Sequence, residues 1–173
     1  MIQKFKKLVE QYRHKIYTFA YYCLGNREEA EDVTQEVLLR LWKHWQQIDP
    51  DLVLAWLIRV TKNVCLDVIR KRRTYRTLIQ ADKDGIEVAK ATSDELDPEI
   101  AAEVSDFQRH LEQALRSLSE PYRTVVILRE IQDMKYEQIS EALDLPLNTV
   151  KVYIHRGRRL LRTKMKEVVG HEI

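Results

Sequence analysis

Only four glycines and four prolines interrupt 173 residues, and between them the apolar side chains recur at intervals of three and four. That spacing lays one apolar stripe along each helix and leaves almost nothing with the period of two that a half-buried strand needs. The chain is predicted to be all-α. Phe5, Leu8, Val9, Tyr12, Ile16, Phe19, Ala20 and Cys23 mark a helix over about residues 2–24, and Gly25-Asn26 turns the chain. Ala30, Val33, Val37, Leu38, Leu41, Trp42 and Trp45 mark a second over about 27–47. Its first turn holds Glu28 and Glu29, where the positive helix pole favours acids. Asp49-Pro50-Asp51 breaks the pattern. A third helix, about 53–73, carries Trp56, Leu57, Val60, Val64, Leu66 and Ile69 and closes in Arg70-Lys71-Arg72-Arg73.

The net charge of +2 conceals a partition. Residues 78–106 hold nine acids against two lysines, so the rest of the chain stands at +9. Two basic parts joined by an acidic middle suit a polyanionic partner better than a uniformly solvated surface does. Asp97-Pro98 reads as a cap and first-turn proline, after which Ile100, Val104, Phe107, Leu111, Leu115 and Leu118 keep helical spacing.

Three further helices are expected at about 121–130, 136–143 and 148–168. Ile139 and Leu143 lie four apart, Leu145 sits in a short turn, and Val150 and Ile154 again lie four apart. Helix, short turn, helix is the arrangement that places a second helix in a DNA groove. From Lys151 to Lys166 there are seven Lys or Arg plus His155, and no acid. The helix start, with Asn148, Thr149, Lys151 and Val152, would lie at a groove; Thr149 and Lys151 can offer hydrogen bonds to base edges, Val152 an apolar surface for a thymine methyl, and the later cations reach phosphates. A second basic run spans Arg59 to Arg76, beside a polar loop at 46–54 suited to unpaired bases. Trp42, Trp45 and Trp56 are candidate stacking groups, although their spacing among leucines makes core packing the expectation for Trp42 and Trp56.

Other chemistries lack their residues. The five histidines and two cysteines make no HxxxH or CxxC unit, no glycine-rich phosphate loop exists, and no nucleophile has an evident base. Binding without catalysis, metal or cofactor is expected. Cys23 and Cys65 are expected as buried free thiols in a reducing compartment. No apolar run of membrane-spanning length occurs, so no membrane insertion and a cytoplasmic location are expected. On these features alone, a self-sufficient operator-binding regulator and a helical protein-interaction module remain open beside a promoter-reading factor.

Two segments narrow the choice. GNREEAEDVTQEVLLRLWKHW with AWLIRVTKNVCLDVIRKRR in the first half, and LEQALRSLSEPYRTVVILREIQDMKYEQISEALDLPLNTVKVYIHRGRRLL in the second, resemble the extracytoplasmic-function sigma factors of the sigma-70 family. The resemblance implies two small helical domains: region 2 over 1–77, an acidic flexible linker over 78–97, and region 4 over 98–173. It implies that Asp32, Gln35, Glu36 and Arg40 meet core RNA polymerase. Arg59, Lys62, Asn63, Arg70, Arg72 and Arg73 would hold the melted −10 element, with Asn63 and the preceding loop near a flipped base. Asn148, Thr149, Lys151, Val152, His155, Arg156 and Arg159 would read −35 duplex. Tyr122 and Arg123 would brace the helix-turn-helix. The implied partners are core polymerase, promoter DNA and an anti-sigma protein, often membrane-anchored in this family. Three departures stand out: Asp144 where the turn usually has glycine, Ser140 for alanine, and Val152-Tyr153 for a serine-arginine pair.

Overall fold

The computed structural model describes residues 1–82 and 105–170. Among the described residues seven α-helices follow in order: α1 Ile2–Leu24, α2 Arg27–His44, α3 Val53–Asp82, α4 Asp106–Ser117, α5 Tyr122–Val126, α6 Tyr136–Leu143 and α7 Leu147–Gly170. A 3-10 turn, Pro50–Leu52, leads into α3, and a π turn, Ile127–Ile131, extends α5. No strand occurs among the described residues.

The ends of the elements follow local chemistry. Gly25 closes α1 with φ 68°, a left-handed conformation that a residue with Cβ adopts only under strain. Asn26 then caps α2, its side chain accepting the Glu29 amide at 2.9 Å. Asp49 accepts the Asp51 amide at 3.0 Å ahead of Pro50, and Ser105 accepts the Gln108 amide at 3.3 Å at the start of α4.

Helices α1, α2 and α3 pack on one another, and α7 packs on α4, α5 and α6. Ile16, Phe19, Leu24, Val37, Leu41, Leu57 and Ile58 are buried among α1–α3, and Leu115, Leu118, Val125, Leu128, Ile139, Val150 and Ile154 among α4–α7, the two sets joining in one apolar cluster. Each buried leucine, isoleucine or phenylalanine removes enough apolar area to contribute about 1.5–3 kcal/mol. The two halves also touch: α3 lies against α6, and α1 against α4 and the π turn.

Several expectations change. Helix α3 runs on to Asp82, so the first residues assigned to the linker extend the basic helix; the remainder, and the Asp97-Pro98 start, lie outside the described residues. Trp42 is not a core residue: it is 49% exposed and packs edge-on against Phe5, ring centroids 4.8 Å apart. Phe107 likewise leaves its stripe, 67% exposed. Cys23 and Cys65 are free and buried. A hydrogen bond with Cys65, then burial, pushes the Cys23 thiol well up, so it stays protonated and inert.

Candidate nucleic-acid and polymerase interfaces

Helix α7 is the most completely specified surface. Its inner side is Val150, Ile154 and Gly157. Gly157 crosses α5 so closely that a Cβ there would sit 2.5 Å from Val126 Cγ2. That close approach fixes the roll of α7, and the opposite side follows. Asn148, Lys151, Val152, His155, Arg156 and Arg159 are exposed along one stripe, with Thr149 half-buried at its edge.

The turn ahead of this stripe is held by two of the three departures from the family pattern. Asp144 takes φ 53° and closes α6, a conformation Asp tolerates better than most residues. Ser140 Oγ donates to the Leu145 carbonyl at 2.6 Å across the turn. Arg123 donates to the carbonyls of Arg116 and Leu118 at 2.8 and 2.7 Å, tying α5 to the end of α4. One cation is diverted: Arg158 donates to Glu130, which raises its pKa and removes it from the free positive face.

On α3, successive residues turn by about 100°. Arg59, Lys62, Asn63, Arg70 and Arg73 therefore share one side, whereas Arg72 lies about 140° away from Arg59. The contacts agree. Arg72 donates to the Leu24 carbonyl at 3.1 Å and forms an ion pair with Glu29, so it joins the end of α1 to α2 and α3. In this structure it braces the first bundle, and it lies off the side that carries the other residues expected at the −10 element. Asn63, Arg70 and Arg73 are exposed and Lys62 is half-buried.

Beside Arg59 lies a cavity of about 480 Å³ lined by His44, Gln47, Asp49, Leu52, Trp56 and Arg59, with Glu141 from α6 on its rim. The polar loop and a half-buried tryptophan meet there, as a site for an unstacked base requires. Glu141 had no sequence signal; only the packing of the two halves brings it in.

Asp32, Gln35, Glu36 and Arg40 are exposed on one side of α2, Arg40 donating to Glu36 at 2.9 Å. Gln35 also lines a groove with Arg13, His14 and Tyr17 of α1. These α1 residues escaped the sequence reading, although Glu10, Arg13, His14 and Tyr17 repeat at three and four opposite the apolar stripe. Among the described residues no cluster of His, Cys, Asp and Glu could hold a metal.

Known proteins carry the same arrangement. Residues 8–75 match the Sigma-70 region 2 family model, and residues 108–161 the Sigma-70, region 4 model. The ECF RNA polymerase sigma factor SigW of Bacillus subtilis strain 168 is 33% identical over 168 residues, covering 95% of this chain and 90% of the relative. SigE of Mycolicibacterium smegmatis, also an ECF RNA polymerase sigma factor, is 35% identical over 157 residues, covering 90% of this chain and 59% of the relative. Among solved structures, the sigma factor RpoE from Bartonella quintana, in complex with the anti-sigma factor NepR, aligns with a TM-score of 0.70 at 23% identity, covering 95% of this chain and 98% of that one. CnrH, in complex with the cytosolic domain of CnrY, aligns with a TM-score of 0.70 at 22% identity, covering 96% and 90%. These two likenesses show the shared fold.

Proposed function

The chain belongs to the extracytoplasmic-function sigma factors of the sigma-70 family, and we propose from that premise how its two halves divide the work. A factor of this kind has no chemistry of its own; it directs core RNA polymerase to promoters.

In this reading residues 98–173 dock on −35 duplex through the exposed α7 stripe, and residues 1–77 hold polymerase and the melted −10 strand, with 78–97 joining them. Asn148, Lys151 and Val152 face base edges in the major groove, where a well-placed side chain discriminates by about 1–3 kcal/mol. His155, Arg156 and Arg159 follow toward phosphates, which fix register without reading sequence. On the first half, a base leaving the duplex gives up about a few kcal/mol of stacking and pairing. Trp56 in its cavity returns about 1–3 kcal/mol by stacking, and Lys62, Asn63, Arg70 and Arg73 hold the strand beside it. Asp32, Gln35, Glu36 and Arg40 supply the polymerase contact. Val152 and Tyr153 shift the −35 preference away from that of relatives with a hydroxyl and a cation there.

An anti-sigma protein is the proposed regulator, by analogy with RpoE bound to NepR. A membrane-anchored regulator and a cytoplasmic location belong to the same proposal; no described helix is long and apolar enough to cross a membrane.

The α7 stripe is the observation that carries the reading. Its test is fluorescence anisotropy of a −35/−10 promoter duplex at fixed salt, with and without core polymerase. Specific binding and opening only with polymerase is the expected result. Tight specific binding by the chain alone, unchanged by polymerase, would overturn it in favour of an ordinary operator-binding regulator.

A further inference from the structure

Helix α2 buries Val33, Val37 and Leu41 and turns its opposite side outward. At about 100° per residue, Leu39 lies about 160° from Val37 and Leu41 and within about 60° of Asp32, Gln35, Glu36 and Lys43. It is accordingly 60% exposed, a leucine at the centre of a polar face. Trp42 continues the apolar surface one turn on, half exposed and held edge-on against Phe5 of α1. Helix α7 offers an internal parallel, because Val152, also exposed, stands within the stripe assigned to DNA.

The rim around Leu39 is charged in order. Asp32 and Glu36 precede it and Arg40 and Lys43 follow, all exposed. At about 1.5 Å per residue the four span about 16 Å. Arg40 Nε donates to Glu36 at 2.9 Å, so part of this rim is organised before any partner arrives. An apolar centre within a polar rim is the anatomy of a protein contact, in which the centre is desolvated and the rim stays wet. The two leading acids disfavour phosphates, and continuity with the residues assigned to polymerase decides the occupant.

We propose that Leu39 is the apolar anchor of the polymerase contact, seated in an apolar pocket of core polymerase whose rim is cationic at the Asp32 end and acidic at the Lys43 end. The proposal rests on the assignment of Asp32, Gln35, Glu36 and Arg40 to polymerase, and adds the residue that holds the complex once they have steered it together. Rim charges act mainly on encounter, whereas a desolvated apolar group acts on dissociation. The order of charge also gives the pocket one direction along α2, since turning it end for end would set acids on acids.

The test is the binding of the full chain, fluorescently labelled at its C-terminus, to purified core RNA polymerase, with association and dissociation rates followed over a range of salt. Leu39→Ala is expected to speed dissociation on the order of tenfold while the association rate and its salt dependence stay as in wild type. Leu39→Met keeps the apolar volume and should restore most of the lifetime of the complex. The denaturation midpoint of the free Leu39→Ala chain should match wild type, as for an exposed side chain. A midpoint that fell with the lifetime would make Leu39 a structural residue and overturn the anchor. An unchanged dissociation rate would overturn it too, as would a Leu39→Met complex as short-lived as that of Leu39→Ala. If the free wild-type chain self-associates in sedimentation and Leu39→Ala does not, the occupant is a second copy and the proposal falls. Asp32→Asn with Gln35→Ala separates the anchor from the reading beneath it. If that pair leaves core binding untouched, the α2 assignment fails; if it slows association while Leu39→Ala changes nothing, the anchor alone fails.

Discussion

On α7, six of the seven residues assigned to DNA are exposed. On α3, one of the six assigned residues is forked onto α6 and another is locked to α1 and α2. Both helices are basic and both carry their cations on one side, so composition does not distinguish them. What distinguishes them is what packs nearby. The recognition helix spends its inner side on one tight crossing and leaves the outer side bare. Helix α3 packs on α1 and α2 and also touches α6, so its basic residues are divided between internal contacts and surface. A cation in a basic run is a DNA contact only if its carbonyl and carboxylate neighbours leave it one.

The largest expected effect breaks the better-exposed half. Gly157→Val pushes two methyls toward the fully buried Val126, where a single Cβ would already lie 2.5 Å away. Overpacking of this kind costs about 1–3 kcal/mol, and the β-branch in a helix adds to it. The loss should appear as a lower denaturation midpoint together with weaker −35 duplex binding. Val126→Ala in the same chain should recover part of both, a coupling that unrelated sites would not show.

Arg72→Ala sharpens the contrast within α3. It leaves Glu29 and the Leu24 carbonyl without the guanidinium, and bonds to charged groups are worth about 1.5–3 kcal/mol. Stability should fall while the salt dependence of DNA binding by the holoenzyme stays as it was. Arg73→Ala, on the exposed side, should do the reverse: stability unchanged, and the slope of log affinity against log salt reduced by about 0.7–0.9. Equal salt slopes for the two variants would remove the distinction.

Much of this was legible in the sequence. Apolar spacing located α1, α2 and α6 because each buries an apolar stripe, and Asp144, standing where the turn usually has glycine, takes the left-handed conformation that a glycine would. The place of Arg72 was legible too, since about 100° per residue already puts it across the helix from Arg59; reading Arg70 to Arg73 as a single basic run hid it. Trp42 misled for a different reason. Its register beside Leu38 and Leu41 suggests burial, but it packs edge-to-face with Phe5 of α1 and stays half exposed. The acidic stretch gave no period that would have carried α3 as far as Asp82. Glu141 at the cavity had no local signal at all, because its role arises from the meeting of segments some eighty residues apart.

A smaller effect probes what the exposed stripe reads. Lys151→Ala should relax discrimination at one −35 position by about 1–3 kcal/mol, while Val152→Ser should change which base is preferred there with little loss of overall affinity. Both are measured by holoenzyme competition among −35 variants. A uniform loss across all sequences for either substitution would make that residue a backbone contact.

The smallest effect tests the seam between the halves. Tyr21→Phe removes one hydrogen bond to Glu112, a fully buried acid that keeps the Gln108 amide at 3.3 Å. The expected loss is about 1 kcal/mol or less. Burial, then the Glu112 charge, raises the Tyr21 phenol above its usual 10.0. A raised acid favours the protonated form in the folded state, so its contribution is complete below pH 10 and is lost as pH climbs toward the folded value. The stability difference between wild type and Tyr21→Phe should therefore be flat from about pH 6 to 9 and shrink above about pH 10. A difference that instead collapsed near neutral pH would mean that another group titrates at the seam, and that the halves are held together by a charge rather than by a neutral phenol.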